Sequence, residues 1–428
     1  MDLLRDSLKD TASEQSLSDR LLHWFSDVKR DLPWRKTGDP YAIWVSEVML
    51  QQTQVKTVIP YYERFLHSFP SVEQLAKASL DDVLTIWSGL GYYSRARRMW
   101  EGANYILQQL KGELPRNYDA LLRIPGIGDY TAGAIASIAF GQNVVAIDGN
   151  VKRVVSRLLA WSEPVETARS YRHLRDTLMT WQSALQPGDF NQALMELGAL
   201  VCTPTKPACQ HCPLADVCKG YLQGDFLRYP VKKPKAQRQV VTRLTFVLRK
   251  GDQVYIQKRS SRGLLADLWE FPGVESSQGY IHSLNDDLPL IAGEESFALF
   301  QQAVPQGVFF DSRVKDQFQR GLFWQGPVWY TFSHRRWKII WAVVDLSEHW
   351  DLPDLFYSLN QPDSTTAFKL EESEGEYELA ASTEKNQLDK ERWVSMKDLR
   401  AIPLPVAFSA IIEQLYLLKH EHIGSKMT

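Results

Sequence analysis

The sequence predicts an α-helical N-terminal half joined to a strand-rich C-terminal domain. Three observations carry this. Apolar residues recur at three- and four-residue steps up to about residue 220, and from about residue 240 they alternate with polar ones. A Pro- and Lys-rich stretch, YPVKKPKAQRQ at 229–239, separates the two regimes. All four cysteines of the 428-residue chain lie between Cys202 and Cys218, where the helical half closes. At this length one hydrophobic core is not enough, so the division is 1–228, a linker at 229–239, and 240–428.

The opening segment, MDLLRDSLKDTASEQSLSDR, is polar and mixed in charge. It lacks the apolar centre of a signal peptide, and its acids argue against a transit peptide. No apolar run is long enough to span a membrane, which predicts a cytoplasmic protein with no membrane partner. LLHWFSDVKRDL and YAIWVSEVMLQQTQVKTVI carry helical spacing, and SLDDVLTIWSGLG is a helix capped by Ser79 that ends at Gly89 or Gly91. YDALLRIPGIGDYTAGAIASIAFG reads as helix, tight glycine turn and helix. Gly126 and Gly128 permit backbone angles other residues avoid, and the helix after them offers N–H groups suited to a phosphate oxygen. In DGNVKRVVSRLLAW, Asp148 stands at the start of a further helix.

After the linker the period changes to two. VVTRLTFVLRKGDQVYIQKR is a strand, a Gly-Asp turn and a strand, and GPVWYTFSHRRWKIIWAVVDL repeats that form. DSTTAFKLEESEGEYELAASTEKNQ reads as a solvated acidic insertion. Hydrophobic content of 44%, charged content of 23% and a net charge of −2 describe an ordinary globular protein rather than an indiscriminate polyanion binder. The sum hides local polarity: residues 231–250 hold seven Lys and Arg and no acid, whereas 361–390 hold eight acids against three lysines.

The cysteines follow the pattern C-x6-C-x2-C-x5-C. Disulfides belong to secreted folds, and this chain shows no secretion signal. A structural zinc site usually uses two C-x2-C pairs, and only Cys209 and Cys212 form one. A cubane iron–sulfur cluster also takes four thiolates. Spacing alone leaves zinc and iron–sulfur open.

IPGIGDYTAGAI, followed by Asp148 in AIDGNVKRV and then by the cysteine loop, resembles the helix–hairpin–helix DNA base-excision glycosylases. In that superfamily such a loop closes the domain on a [4Fe–4S] cluster, so the resemblance assigns Cys202, Cys209, Cys212 and Cys218 to this cofactor. In the endonuclease III branch a catalytic lysine follows the hairpin glycines. Tyr130 stands at that position here, which implies a glycosylase without efficient lyase activity. SEVMLQQTQV (46–55), GLGYYSRAR (89–97) and DLPWR (31–35) are similar to the adenine DNA glycosylase (MutY) branch. The motifs follow that family's order over nearly the whole chain.

The resemblance makes Glu47 the acid that protonates N7 of adenine, and Asp148 the carboxylate that stabilises the sugar cation. It makes Tyr130 and Asn150 the residues that orient Asp148 and the sugar. Glu47 lies among Val45, Val48, Met49 and Leu50, where desolvation raises a carboxyl pKa and lets it hold a proton. Glycosidic cleavage through an oxocarbenium-like state needs such an acid and an anion. Adenine inside a duplex must be flipped out, and Gln52 and Tyr92 match the family's wedge positions. Arg95, Arg97, Lys152 and Arg153 are candidate phosphate contacts beside the hairpin glycines Gly126 and Gly128.

LADLWEFPGV (265–274) resembles the Nudix fold, an α+β domain. The R-E-x-x-E-E metal helix of a working Nudix hydrolase does not follow it; the only adjacent glutamates nearby are Glu294 and Glu295. Related glycosylases use such a domain to recognise 8-oxoguanine through a Phe-Ser-His loop, which points to Phe332, Ser333 and His334. The expected partner is double-stranded DNA with adenine opposite 8-oxoguanine or guanine, met by a nucleoid-associated monomer. An endonuclease III-like enzyme for oxidised pyrimidines fits Tyr130 and the second domain less well. A non-catalytic iron–sulfur DNA-binding protein has no use for both Glu47 and Asp148.

Overall fold

A computed structural model describes residues 16–234, 237–276, 294–304, 312–332, 334–346 and 390–424. Ser333 and the acidic insertion predicted after residue 360 lie outside the described residues. The chain divides into two compact units between Lys235 and Ala236, and each is described by itself.

The first unit is helical. Helix α1 (Leu17–Val28) is capped by Ser16 and buries Leu21 and Phe25. Helix α2 (Pro40–Leu50) starts with proline at its first turn after the Asp39 cap, and Tyr41 to Met49 are all buried. It is therefore a central rod rather than an amphipathic surface helix, which is why its apolar period is weak. Helices α3 (Val55–Ser68), α4 (Val72–Lys77), α5 (Leu80–Trp87) and α6 (Ser94–Gln109) follow. Ser79 caps α5, whose last residue is Trp87. The short α7 (Tyr118–Leu121) and α8 (Asp129–Ile138) flank the glycine turn. Helices α9 (Gly149–Leu159), α10 (Ala168–Trp181) and α11 (Pro187–Leu200) pack around a core of Val151, Val154, Leu174, Phe190 and Leu194. The cysteine loop and the single turn α12 (Lys219–Leu222) close the unit.

The second unit is built on one mixed sheet. Strands β1 (Gln239–Lys250) and β2 (Gln253–Lys258) form the expected hairpin, with Gly251 at φ 56° in the turn. Strands β3 (Trp269–Glu270) and β4 (Gly273–Ser276) pair with β2 and β1. Helices α13 (Glu294–Ala303) and α14 (Ser312–Arg320) precede the second hairpin, β5 (Trp324–Thr331) and β6 (Arg335–Asp345). Strand β7 (Glu391–Ser395) pairs with β2, and α15 (Ser409–Gly424) ends the unit. The central pairing, β1 with β6, is parallel.

Period-two alternation divides the sheet's side chains between two cores. Trp337, Ile339 and Trp341 of β6 face α15, while Ile340, Ala342 and Val344 face α13 and α14. Helices on both faces of a mixed sheet give this unit its α+β class. No helix among the described residues is long and apolar enough to cross a membrane.

Candidate active site

Glu47 enters the site from the buried side of α2, and its residue is 6% exposed. The phenol of Tyr130, in the first turn of α8, donates a short hydrogen bond to Glu47 Oε2. The motifs implied that Tyr130 orients Asp148 and the sugar; its hydroxyl is turned to Glu47, with Met195 Sδ 3.6 Å away, and the Asp148 charge also reaches it. Burial pushes the Glu47 carboxyl from 4.5 up to about 7, with Asp148 adding to the rise; the Tyr130 hydrogen bond and the Arg35 charge oppose it. The same burial and the two carboxylates hold the Tyr130 phenol well above its ordinary value.

Asp148 caps α9. One oxygen accepts the Val151 N–H at 2.7 Å, and the other accepts from Asn150 Nδ2 at 2.8 Å. Burial raises its pKa, and these bonds to the ionised form work against the rise. Asp148 thus meets two donors, Val151 N–H and Asn150 Nδ2, whereas Glu47 Oε2 meets the Tyr130 hydroxyl.

Asn150 is itself held. Its Oδ1 accepts from Arg153 Nη2 at 2.9 Å, and Arg153 also donates to Gly198 O and Cys202 O, both at 2.8 Å. A Cβ at Gly198 would lie 2.6 Å from Asn150 Cβ, so only glycine lets α11 approach the first turn of α9 this closely.

Two arginines expected at phosphates are committed inside the fold. Arg153 is used as just described. Arg95 is 8% exposed and donates to carbonyls at the end of α2, so it is no phosphate ligand. Arg97 and Lys152 are half-buried. Gly126 has φ 82°, and a Cβ there would lie 2.9 Å from Arg98, so the hairpin needs glycine. Gly128 differs from the expectation: it has φ −99° and caps α8 in extended backbone, with open space where a Cβ would be. Gln52 (φ 59°) and Tyr92 (φ 50°, 46% exposed) stand on exposed loops in left-handed backbone.

The sequence did not reveal one buried cluster. Glu196 of α11 accepts from Arg30 at 2.6 Å and from Arg35 at 3.0 Å. Burial works to raise its pKa, but these hydrogen bonds hold it down to about 2. Arg35, the last residue of DLPWR, thus couples Glu196 to the field at Glu47. A lone glutamate within the apolar run of FNQALMELGALV was the available sign.

The cysteine loop fits a cluster. The guanidinium of Arg157, from α9, donates to Thr203 O at 2.7 Å, Pro204 O at 2.9 Å and Cys202 Sγ at 3.3 Å. Burial raises the thiol of Cys212 to about 12, and Cys202, Cys218 and Cys209 add to the rise, so the four sulfurs share one region. Among the described residues no set of three or more ligating side chains gathers tightly enough for one metal ion. Protein purified without oxygen should contain about four irons per chain and absorb visible light; stoichiometric zinc and a colourless protein would refute the assignment.

In the second unit, Phe332 stacks edge-on against Tyr330 (4.8 Å) and Trp337 (4.9 Å), and its N–H bonds Arg335 O at 2.8 Å. It anchors the β5–β6 tip rather than projecting from it. His334 is exposed. Arg335 binds Glu275 at 3.0 Å, and Glu275 also faces the buried Arg243, which ties the base of the tip to β4 and β1. Arg243 and Arg259 both bond Glu270, the glutamate of LWEFPG.

Residues 45–179 match the family described as HhH-GPD superfamily base excision DNA repair protein. Residues 202–218 match the iron–sulfur binding domain of endonuclease III, and 244–414 match a NUDIX domain. The four thiols are thus the ligand set of a [4Fe–4S] cluster. An adenine DNA glycosylase of Mus musculus is 40% identical over 328 residues, 64% of this chain and 64% of its own length. The chain thus spans under two thirds of the mammalian relatives it matches. One from Buchnera aphidicola subsp. Schizaphis graminum is 31% identical over 71% of this chain and 95% of its own length. One from Schizosaccharomyces pombe is 31% identical over 81% and 82%. With its helical unit, iron–sulfur loop and Nudix-like second unit, the chain belongs to the adenine DNA glycosylase family.

Proposed function

We propose that this chain excises adenine from double-stranded DNA where it is mispaired with 8-oxoguanine or guanine. One observation carries the reading: a buried carboxyl that holds a proton near neutrality, Glu47, shares a site with a carboxylate held by hydrogen bonds, Asp148. In the proposed reaction Glu47 gives its proton to N7 of the flipped adenine. The bond from the sugar to N9 breaks, its electron pair leaves with the base, and Asp148 stabilises the cation at C1′ until water adds. Asn150, fixed by Arg153 and by the contact at Gly198, orients Asp148; Tyr130 orients Glu47. The cluster supplies a rigid fastening for the loop after α11, held by Cys202, Cys209, Cys212 and Cys218.

Tyr130 offers a phenol where Schiff-base chemistry needs an amine, so the abasic product remains uncut until alkali is added. The second unit reads the opposite base. Adenine is a normal base, and Glu47 cannot distinguish a mispaired one from a correct one. Phe332 anchors the tip and His334 is exposed there, and with Ser333 next to them in the sequence this segment offers polar groups suited to the added oxygen and the N7 proton of 8-oxoguanine. The protein acts as a monomer at the nucleoid.

The test is single-turnover cleavage of duplexes with adenine opposite 8-oxoguanine, adenine opposite guanine, or an oxidised pyrimidine. The first two are expected to react and the third to stay intact. Release of the pyrimidine alone would replace this reading with the endonuclease III-like one. Ser333→Ala with His334→Ala should reduce the preference for 8-oxoguanine over guanine by about 1–3 kcal/mol, the scale of one specific base contact. Unchanged preference in that variant would move the reader elsewhere.

A further inference from the structure

Arg95 lies in the first turn of α6, in a run with Arg97 and Arg98 that reads as a solvated basic stripe. The structure gives it a different place. Its Nη1 lies 2.9 Å from Val48 O, 2.8 Å from Met49 O and 2.6 Å from Gln51 O. Its Nη2 lies 3.2 Å from Thr53 Oγ1 and 3.1 Å from Gly91 O. The guanidinium faces the rings of Trp87 at 5.4 Å and Tyr92 at 5.3 Å, and Trp87 Nε1 donates to the same Gly91 O at 3.0 Å. These acceptors are backbone carbonyls and one hydroxyl. A buried cation is tolerated there because the end of α2 presents unpaired carbonyls and the negative end of its dipole. Burial lowers the Arg95 pKa to about 10, which leaves it charged at neutral pH.

The two loops that this one side chain joins are distinctive. Residues 51–53 carry Gln52 at φ 59°, and residues 89–92 carry Tyr92 at φ 50°. Left-handed backbone costs a non-glycine residue on the order of 1–3 kcal/mol and persists only where the surroundings impose it. Arg95 bonds the residue before Gln52, the residue after it and the residue before Tyr92. It also bonds the carbonyls that follow Glu47 in α2.

We propose that Arg95 is a positioning residue that holds Gln52 and Tyr92 together in their strained conformations, as a preformed wedge for the duplex, and registers that wedge to the helix carrying Glu47. The wedge role rests on the function proposed above; the strain-holding role does not. Lysine cannot replace this arginine, since one ammonium cannot span two carbonyls at the end of α2, a third on the 51–53 loop and a fourth on the 89–92 loop.

Two measurements on the full-length holoprotein test this separately. The first is a thermal double-mutant cycle with Arg95→Lys and Gln52→Gly. Glycine adopts φ 59° without strain, so Gln52→Gly should raise the midpoint when Arg95 is present. It should give no gain in the Arg95→Lys background, where the loop has already relaxed. Equal gains in both backgrounds would overturn the proposal, with no DNA involved.

The second is the emission of 2-aminopurine placed at the target position opposite 8-oxoguanine, at saturating protein and below the melting midpoint of each variant. Wild type should brighten the probe as the base is flipped. Arg95→Lys should lose that rise about tenfold, the population change expected when one strained residue is released. Thr53→Val, which removes a single acceptor and leaves the core intact, should lose less in the same direction. A folded Arg95→Lys that flips as wild type does would show a merely structural residue and sink the proposal. A wild type that never brightens the probe would instead count against the proposed function, and the thermal cycle would still decide the role of Arg95.

Discussion

If the proposed function holds, Glu47→Gln should slow single-turnover release of adenine by about a thousandfold or more, and Asp148→Asn should do the same, while each variant should still bind mispaired duplex. General acid catalysis is worth roughly 10²–10⁴ in rate, and loss of an anion beside a developing cation is at least as costly. Both substitutions spare the fold. Glutamine retains an oxygen for the Tyr130 hydroxyl. Asparagine caps α9 as aspartate does, accepting the Val151 N–H. Binding therefore serves as the control for each rate.

The wild-type pH profile carries a second check. The acid form of Glu47 is lost as pH rises through about 7, so the rate should fall on the alkaline side. It should fall again on the acid side as Asp148 takes up a proton. Either variant with a near wild-type rate would remove that residue from the mechanism.

Glu47→Gln should also stabilise the protein at pH 8, although it destroys activity. Burial raises the folded-state pKa from 4.5 to about 7. Between those values the folded chain retains a proton that the unfolded chain has released. The contribution of Glu47 is fully present below the unfolded value and is lost as pH rises through the folded one. The rise corresponds to on the order of 3 kcal/mol at full ionisation. Glutamine carries no charge to bury and escapes the loss. The melting midpoint of the variant should match wild type near pH 4.5 and exceed it by several degrees at pH 8. A gap that stays constant with pH would show that Glu47 is not desolvated as the structure places it. The site thus trades stability for a proton held near neutrality.

The elements that were readable are those with a local cause. Ser79 and Asp148 cap helices because their side chains reach N–H groups three residues on. The β1–β2 hairpin follows from alternation and a glycine turn. Glu47 stood out because its helix neighbours are apolar. The cysteine loop was legible as a metal-binding segment, and its cofactor came from the motifs around it.

What stayed hidden depends on contacts between distant segments. Arg95 looks like its neighbours Arg97 and Arg98 until the end of α2 is placed beside it. Glu196 meets Arg30 and Arg35 across more than 160 residues. The parallel pairing of β1 with β6 joins strands almost a hundred residues apart, and periodicity within either strand cannot report its partner. The tyrosine at the lyase position was visible, but the carboxylate it bonds was not.

The enclosure of Glu47 has a consequence for the cycle as a whole. Tyr41 to Met49 of α2 are all buried, Glu47 among them. In the reaction proposed above, once Glu47 has given its proton to the base it is an anion in contact with Tyr130 and within the field of Asp148. Two like charges in so dry a place favour recapture of a proton by one of them. The water that adds to C1′ must shed one at that moment, and transfer to Glu47 restores the starting state while adenine departs neutral. In this scheme the hydrolytic water supplies the proton for the next turnover, and the enzyme resets itself without drawing one from bulk solvent.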